Sequence, residues 1–136
     1  MAVRKISYCY TTVPNRAGQG EQVLSQLRKA NVNLVGYSGF PTKGGKAQLD
    51  FATTDIAGVR RVAKKNGWRL SKIKKGFMIQ GTDRLGAVHS QIRKLADRKI
   101  NVTAADAVCA GNGRFGMMLW VRPKDYGRAS RALKAR

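Results

Sequence analysis

Residues 82–102 read TDRLGAVHSQIRKLADRKINV, and a counterpart lies 68 positions earlier, at residues 14–34, which read PNRAGQGEQVLSQLRKANVNL. Both stretches place a polar turn that ends in glycine, Gly18 or Gly86, ahead of a helical pattern. Both then continue with an asparagine between two aliphatic residues, Asn33 or Asn101. Few positions are identical, but the turn residues and the apolar spacing agree together. The sequence therefore predicts an internal duplication.

Outward from this stretch, each copy predicts the same order of elements. An extended apolar segment precedes the turn, and the helix after it has apolar residues at helical spacing. These residues are Val23, Leu24, Leu27 and Ala30 in the first copy and Leu85, Val88, Ile92 and Leu95 in the second. A second strand is expected from Val32 or Ile100, and the glycine-rich turns at 43–46 and 111–114 predict hairpins into a third strand.

A second helix is expected after the third strand of each copy. Asp55 and Asp125 precede these helices and are typical N-cap residues. Gly67 follows the first of them, where a left-handed residue ends many helices. A strand at 68–73 then completes the first copy.

This order predicts an α+β fold of two ferredoxin-like (βαββαβ) units, at residues 1–73 and 74–136, each an antiparallel sheet with helices on one face. The second unit ends with its second helix and lacks its own last strand. The stretch 68–80 is expected to form two consecutive strands or one long strand shared between the units. The strand at 115–122 is apolar on both faces, so we expect a homodimer or the other unit to cover its second face.

The chain of 136 residues contains 27 Lys and Arg against 7 Asp and Glu, a net charge of +20. The excess is spread over both copies, which suits a solvated surface or an anionic partner. Glu21 and His89 are the only residues of their types, so no paired carboxylates or catalytic triad can be assembled. We therefore expect no enzyme, no catalytic residue, no metal and no cofactor.

The cysteine positions and the lack of a long apolar run indicate the cellular compartment. Cys9 and Cys109 lie far apart and outside any metal-ligand spacing, so two buried free thiols are expected. No apolar run approaches the ~20 residues of a membrane span. The basic start of the chain has no apolar stretch of the signal-peptide type, so we expect a cytoplasmic protein without a membrane partner.

The turn Asp83-Arg84-Leu85-Gly86, the helix after it and Ile100-Asn101-Val102 resemble the ACT domain, a small regulatory module with a D-R-P-G-like loop and an I-N-I-like second strand. Leu85 stands where that family has proline. The first copy departs further, with Asn15 in place of aspartate and Ala17 in place of proline. The resemblance covers the chain as two tandem units with no catalytic domain between or around them.

The resemblance implies a free-standing regulatory protein that binds an amino acid or a similar small zwitterion where units meet. It also implies which positions line the sites: Asp83, Arg84, Leu85, Gly86, Asn101 and Val102 in the second copy, and Asn15, Arg16, Ala17, Gly18, Asn33 and Leu34 in the first. The residues agree with this, because a helix N-terminus attracts a carboxylate and Asp83 can balance an ammonium group. Since Asn15 lacks that charge, the second copy is expected to hold the better site.

Two alternatives stay open at this point. Asn15 and Asp83 can serve only as helix caps, with Arg16 and Arg84 as solvated surface residues. The charge can also indicate an acidic protein or a nucleic acid as partner, and RNA-recognition modules share the ferredoxin-like scaffold. For that function the run Lys72-Ile73-Lys74-Lys75 is the densest basic candidate.

Overall fold

The computed structural model describes all residues, 1–136, and shows an α+β chain with six strands and four helices. In chain order the elements are β1 (Ala2–Pro14), α1 (Gln19–Lys29), β2 (Gly36–Thr42), β3 (Lys46–Thr53), α2 (Ile56–Asn66), β4 (Lys74–Thr82), α3 (Ala87–Ala96), β5 (Val102–Gly111), β6 (Arg114–Val121) and α4 (Tyr126–Leu133). A single 3-10 turn, Pro123–Asp125, leads into α4. The α+β class expected from the sequence is confirmed.

The chain divides into two compact units, and β1 contributes to both. The first unit is Ser7–Lys74, and the second unit is Met1–Ile6 together with Lys75–Arg136. Neighbouring strands follow the order β2-β3-β1 in the first unit and β1-β4-β6-β5 in the second. The sequence pattern assigned the first six residues to the first copy, whereas their contacts place them in the second unit.

The beginning of β1 fills the place of the strand that the second copy lacks. Val3 is buried in the hydrophobic core of the second unit. The backbone N–H of Lys5 donates to the carbonyl of Arg136 at 2.8 Å, and the N–H of Arg136 donates to the carbonyl of Val3 at 3.0 Å. The last residue of the chain is thus hydrogen-bonded to the first strand.

The stretch at 68–80 contains one regular strand, β4, which begins only at Lys74. The expected strand at 68–73 is absent, although this segment is tied to β1 within the first unit. Ser71 N–H donates to the carbonyl of Tyr10 at 2.8 Å, and Thr11 Oγ1 donates to the carbonyl of Arg69 at 2.9 Å. Both expectations for this stretch, two strands or one long strand, are therefore corrected.

Each unit has its own apolar core. In the first unit, Val23 and Leu27 of α1 and Val59 of α2 are buried with Leu49 and Phe51 of β3. In the second unit, Leu95 and Leu133 are buried with Phe77, Met117 and Leu119. Complete burial of side chains of this size stabilises a fold by about 1.5–3 kcal/mol each, so the two cores account for the compactness of the units.

The second strand of each unit starts later than expected, because α1 and α3 end in the same motif. Asn31 and Lys99 adopt left-handed φ values of 58° and 55°. The next residues close the helix ends: Val32 N–H donates to Leu27 O, and Ile100 N–H donates to Leu95 O, both at 3.0 Å. An apolar residue at this position packs back on its helix. Val32 and Ile100 therefore end helices, and β2 and β5 begin at Gly36 and Val102.

The buried face of α3 also differs from the expected one. Gly86, at φ 79°, occupies the N-cap position, so Leu85 lies in the loop and is fully exposed. Val88 is exposed as well, and the helix instead buries Ala87, Gln91 and Leu95. Of the expected stripe, Leu95 is confirmed as buried and Ile92 packs against the core, whereas Leu85 lies in the loop and Val88 is exposed.

Two of the three expected helix-end residues, Asp55 and Gly67, are confirmed, and Asp125 is not. Asp55 caps α2 as expected, since its Oδ1 accepts from Gly58 N–H at 2.9 Å, and Gly67 ends α2 at φ 70°. Asp125 makes no capping hydrogen bond and instead forms ion pairs of 3.2 Å with Arg122 and Arg128.

The two cysteines lie in different environments. Cys9 is buried, and burial is the main cause that raises the pKa of its thiol. Cys109 is exposed, because β5 lies at the edge of its unit. The expectation of two buried thiols is therefore wrong for Cys109.

We predict that Asp55→Ala lowers the free energy of unfolding by about 1 kcal/mol, because Gly58 N–H then loses its acceptor. Urea denaturation followed by circular dichroism measures this. Asp97→Ala is the control, because Asp97 takes part only in an exposed ion pair with Arg93 and its loss is expected to change stability by less than about 0.5 kcal/mol. Equal losses in the two variants would contradict the capping assignment.

Candidate functional site

A cleft of about 270 Å³ in the second unit gathers the turn before α3, the start of α3 and the late part of β5. We call it the Asp83 cleft. Its lining consists of Asp83, Arg84, Gly86, Ala87, Val88, His89, Ala107, Val108, Cys109 and Phe115. Apolar side chains thus line the cleft together with one carboxylate, one guanidinium and one histidine, as in many small-ligand sites.

The turn in this cleft is held by backbone hydrogen bonds and leaves polar groups unused. Asp83 N–H donates to the carbonyl of Gly113 in the β5–β6 hairpin at 2.8 Å. No side chain caps α3, and the backbone N–H groups of Val88 and His89 have no acceptor. Free amides at a helix start carry positive partial charge, so this end of the cleft favours an anionic group.

Asp83 supplies the opposite charge and acts on Cys109. Hydrogen bonding to the Asp83 carboxylate is the main cause that raises the pKa of the exposed Cys109 thiol. Asp83 does not cap α3, which removes the alternative in which it serves only the helix.

A second cleft of about 320 Å³ lies in the equivalent place of the first unit. We call it the Asn15 cleft. It is lined by Val13, Pro14, Asn15, Arg16, Gln19, Gly20, Tyr37, Gly39, Phe40, Pro41, Ala47 and Leu49. Its wall from β2 carries two exposed aromatic rings, Tyr37 and Phe40, whereas β5 contributes Ala107, Val108 and Cys109 to the Asp83 cleft.

The two clefts repeat each other in backbone detail. Asn15 N–H donates to the carbonyl of Gly45 at 2.8 Å, which matches the bond between Asp83 and Gly113 at the same spacing of 68 residues. Gly18 is left-handed at φ 88°, like Gly86, and the amides of Gly20 and Glu21 have no acceptor. Asn15 makes no capping hydrogen bond, so the capping alternative fails here too. The clefts differ in charge, since Asn15 replaces an aspartate.

The structure places only some of the residues that the resemblance assigned to the sites in the two clefts. Asp83, Arg84 and Gly86 meet in one cleft, and Asn15 and Arg16 meet in the other. Leu85 points fully into solvent, and Ala17 and Gly18 do not line the Asn15 cleft.

Residues near the start of the second strands lie elsewhere. Asn33 and Leu34 line a third groove, of about 380 Å³, with Leu24 and Asn31 at the end of α1. Asn101 and Val102 lie before and at the beginning of β5 and outside the Asp83 cleft.

The sequence pattern did not indicate that residues within β2 and β5 line the clefts, such as Tyr37 and Phe40 in β2 and Val108 and Cys109 in β5. In the first unit β1 and β3 are antiparallel, with Pro14 opposite Lys46, so the turn after β1 meets the β2–β3 hairpin. The hairpin end of the second strand therefore faces the turn. The glycine-rich turns at 43–46 and 111–114 mark these hairpins in the sequence. The strand order is needed to place them against the turn after the first strand.

The polar groups of the Asp83 cleft can hold groups of either charge. No cluster of three histidine, cysteine, aspartate or glutamate side chains is placed to hold a metal ion. Asp83 can hold a cationic group and the amides of Val88 and His89 an anionic one. None of the four helices is long and apolar enough to cross a membrane.

Comparison with known proteins places the fold. No protein-family model and no curated protein sequence matches the chain. Among solved structures, protein BT0572 from Bacteroides thetaiotaomicron matches with 16% identity and a TM-score of 0.81, over 97% of this chain and 88% of that one. The regulatory subunit of aspartate kinase from Thermus thermophilus matches with 11% identity and a TM-score of 0.68, over 98% and 93%. The Thermus flavus subunit gives 12% and 0.60, over 98% and 95%.

At these identities the likeness establishes the fold alone. The chain has the fold of aspartate kinase regulatory subunits, which are built from ACT domains, so the resemblance noted in the sequence is confirmed for the architecture.

We predict that Cys109 is the single thiol alkylated by iodoacetamide in the folded protein, with a pH midpoint above that of an ordinary cysteine. In Asp83→Asn the midpoint falls, because the charge that disfavours the thiolate is gone. Mass spectrometry of the labelled peptide over a pH series measures both. Asp97→Asn, which removes an equal charge on α3, is expected to leave the profile unchanged; identical profiles in all three proteins would refute the assigned contact.

Proposed function

We propose that this protein is a free-standing regulatory protein that binds an amino acid, or a similar small zwitterion, and performs no catalysis. The observation that carries the proposal is the Asp83 cleft, whose lining contains both a carboxylate and the start of α3 with its unpaired amides. A zwitterion offers an ammonium group to the first and a carboxylate to the second. The fold shared with aspartate kinase regulatory subunits supports a regulatory role.

The remainder of the cleft suits the side chain of such a ligand. Val108 and Phe115 present apolar surface beside the charged groups, and His89 and Arg84 lie at the rim. The Asn15 cleft has the same backbone but lacks the carboxylate, so the proposal assigns the stronger site to the second unit. Two ferredoxin-like ACT units, bounded near residues 73 and 74, form the proposed architecture.

We further infer a homodimer in which β5 pairs with β5 of a second copy. This strand is the outer one of its unit, ten residues long, and its residues from Ala105 to Gly111 are exposed. It carries none of the lysines or prolines that protect free edges. In an antiparallel pair, Asn101 and Val102 of one chain would approach the Cys109 end of the other, which brings the full set assigned from the resemblance to one site.

The ligand then acts by population shift. A zwitterion that contacts both chains binds the dimer more tightly than the monomer and stabilises it by that difference. The proposal keeps the protein in the cytoplasm, and the macromolecule that reads the change is left open. The alternative of an RNA-recognition module receives no support from the structural relatives, whose descriptions name regulatory subunits.

We predict that at least one of the twenty common amino acids raises the melting temperature by several degrees at millimolar concentration. A ligand at 100 times its Kd adds about 2.7 kcal/mol to the free energy of unfolding. Asp83→Asn is expected to lose this response, whereas Asp97→Asn keeps it. Differential scanning fluorimetry provides the screen and calorimetric titration the confirmation. A panel without a single stabiliser at 10 mM, about the highest practical level, contradicts the proposal.

We predict that the protein is a dimer at micromolar concentration and that Val108→Lys converts it to a monomer. Val108 is 68% exposed on β5, so lysine there fits the isolated chain but opposes strand pairing. Light scattering after size exclusion measures the mass. Val88→Lys places the same charge on the exposed face of α3 and is expected to remain dimeric. A monomeric wild-type protein would rule out the β5 pairing.

A further inference from the structure

The exposed face of α2 carries four cations in two adjacent pairs. Arg60 and Arg61 occupy the middle of the helix, and Lys64 and Lys65 lie one turn later. All four are exposed, while Val59, Val62 and Ala63 form the buried face. Because residues four apart share a helix face, the side chains form two parallel columns. We call this surface the α2 basic face.

No carboxylate forms an ion pair with the α2 basic face. None of its four side chains forms an ion pair or a hydrogen bond. α2 contains no acidic residue, and the carboxylate of Asp55 before it is taken up by Gly58 N–H. The second unit differs, because Arg93 on α3 pairs with Asp97 and Arg128 on α4 pairs with Asp125.

Interaction with the helix dipole accounts for only part of the arrangement. Lys64 and Lys65 lie in the last turn, where cations are favourable. Arg60 and Arg61 lie too far from the C-terminus to gain from it. They also stand four residues from the two lysines, and like charges at this spacing destabilise a helix. The surface therefore carries a repulsion that a bound polyanion would relieve.

The neighbouring helix also carries cations without an ion pair. α1 packs beside α2 in the first unit, and its last turn carries Arg28 and Lys29, both exposed and without an ion pair. The clefts open on the other elements, at the starts of helices and at hairpins, so the basic face is separate in sequence and in structure from the residues of the proposed amino-acid site.

We propose that the α2 basic face binds the phosphate backbone of nucleic acid without reading its sequence. Its cations recur at a spacing of one helical turn, which suits a polymer with regularly repeated charges better than the irregular surface of an acidic protein. No large apolar side chain is exposed on α2, so the face has nothing to insert into a lipid bilayer. It also has no aromatic ring on which bases stack, so the phosphates of the backbone are the groups that it can hold.

This surface replaces the basic run singled out in the sequence. Within the first unit, Lys74 Nζ lies 5.1 Å from the centroid of the Tyr10 ring, and within the second unit Lys75 Nζ lies 5.5 Å from that of Tyr126. These cations are engaged with aromatic faces of their own units. The α2 cations have no comparable partner.

The test measures binding of the full chain to a fluorescein-labelled polythymidine of about 25 nucleotides, by fluorescence anisotropy over a series of KCl concentrations. We expect wild-type binding that weakens steeply with salt. In Arg60→Gln/Arg61→Gln the slope of log K against log salt falls by about 1.4, which is 0.7 for each lost phosphate contact, and affinity at low salt falls roughly tenfold or more. Glutamine is nearly as good a helix former as arginine, so α2 is expected to persist.

The control is Lys43→Gln/Lys46→Gln, which removes the same charge from the β2–β3 hairpin of the same unit. We expect it to keep most of the affinity and slope. Circular dichroism and melting confirm the fold of both variants. Equal losses in the two variants mean attraction by net charge alone and overturn the proposal, as does an absence of wild-type binding at 50 mM KCl, roughly the lowest salt of the series.

Two further arms decide between polyanions. Polyglutamate and vesicles of phosphatidylserine and phosphatidylcholine are titrated in the same way. Tighter binding to either than to polythymidine overturns the assignment to nucleic acid. Duplex DNA and RNA of unrelated sequences are expected to bind with affinities that vary little with sequence, and a strong preference for one sequence contradicts backbone binding. The amino-acid response is measured separately on Arg60→Gln/Arg61→Gln, which is expected to retain it.

Discussion

The structure depends on one short backbone connection that occurs once in each unit. The residue that opens the turn after the first strand donates its N–H to a glycine carbonyl in the hairpin, Asn15 to Gly45 and Asp83 to Gly113. A left-handed glycine three residues later turns the chain into a helix. Since these two features bring the helix start against the hairpin end of the second strand, they create the clefts. Everything that the protein is proposed to bind there follows from this connection.

The same connection leaves the helix starts chemically open. A left-handed glycine occupies the N-cap position, so no side chain reaches the first amides. Where most helices have a Ser or Asp cap, these two present bare donors to a solvent-filled cleft. In the second unit the Asp83 carboxylate does not cap the helix and instead acts on the Cys109 thiol. In the first unit an asparagine takes that place, and the duplicated geometry carries a different charge.

The charge of the chain is distributed differently between the units. In the second unit several arginines are held by aspartates within three or four residues. In the first unit the cations of α2 form no ion pair, and the carboxylate of Asp55 before this helix is used as a cap. The duplication thus conserves the backbone and varies the side chains around it, so the two copies need not share one function. A sensing cleft and a polyanion-binding helix can coexist on such a scaffold.

The sequence by itself determined the repeat, the α+β class, the hairpins, the cap at Asp55 and the helix end at Gly67. These are local features, because turn residues and apolar spacing act within a few positions of the chain. It misplaced Leu85 and Val88 on the buried face of α3, and it misplaced the starts of β2 and β5. Val32 and Ile100 look like strand residues in a linear pattern but close a helix end in three dimensions. Only the tertiary structure decided that Met1–Ile6 joins the second unit and that Tyr37 and Cys109, rather than Asn33 and Asn101, line the clefts. Such pairings depend on strand order and register, which join residues far apart in sequence and leave no periodic signal along it.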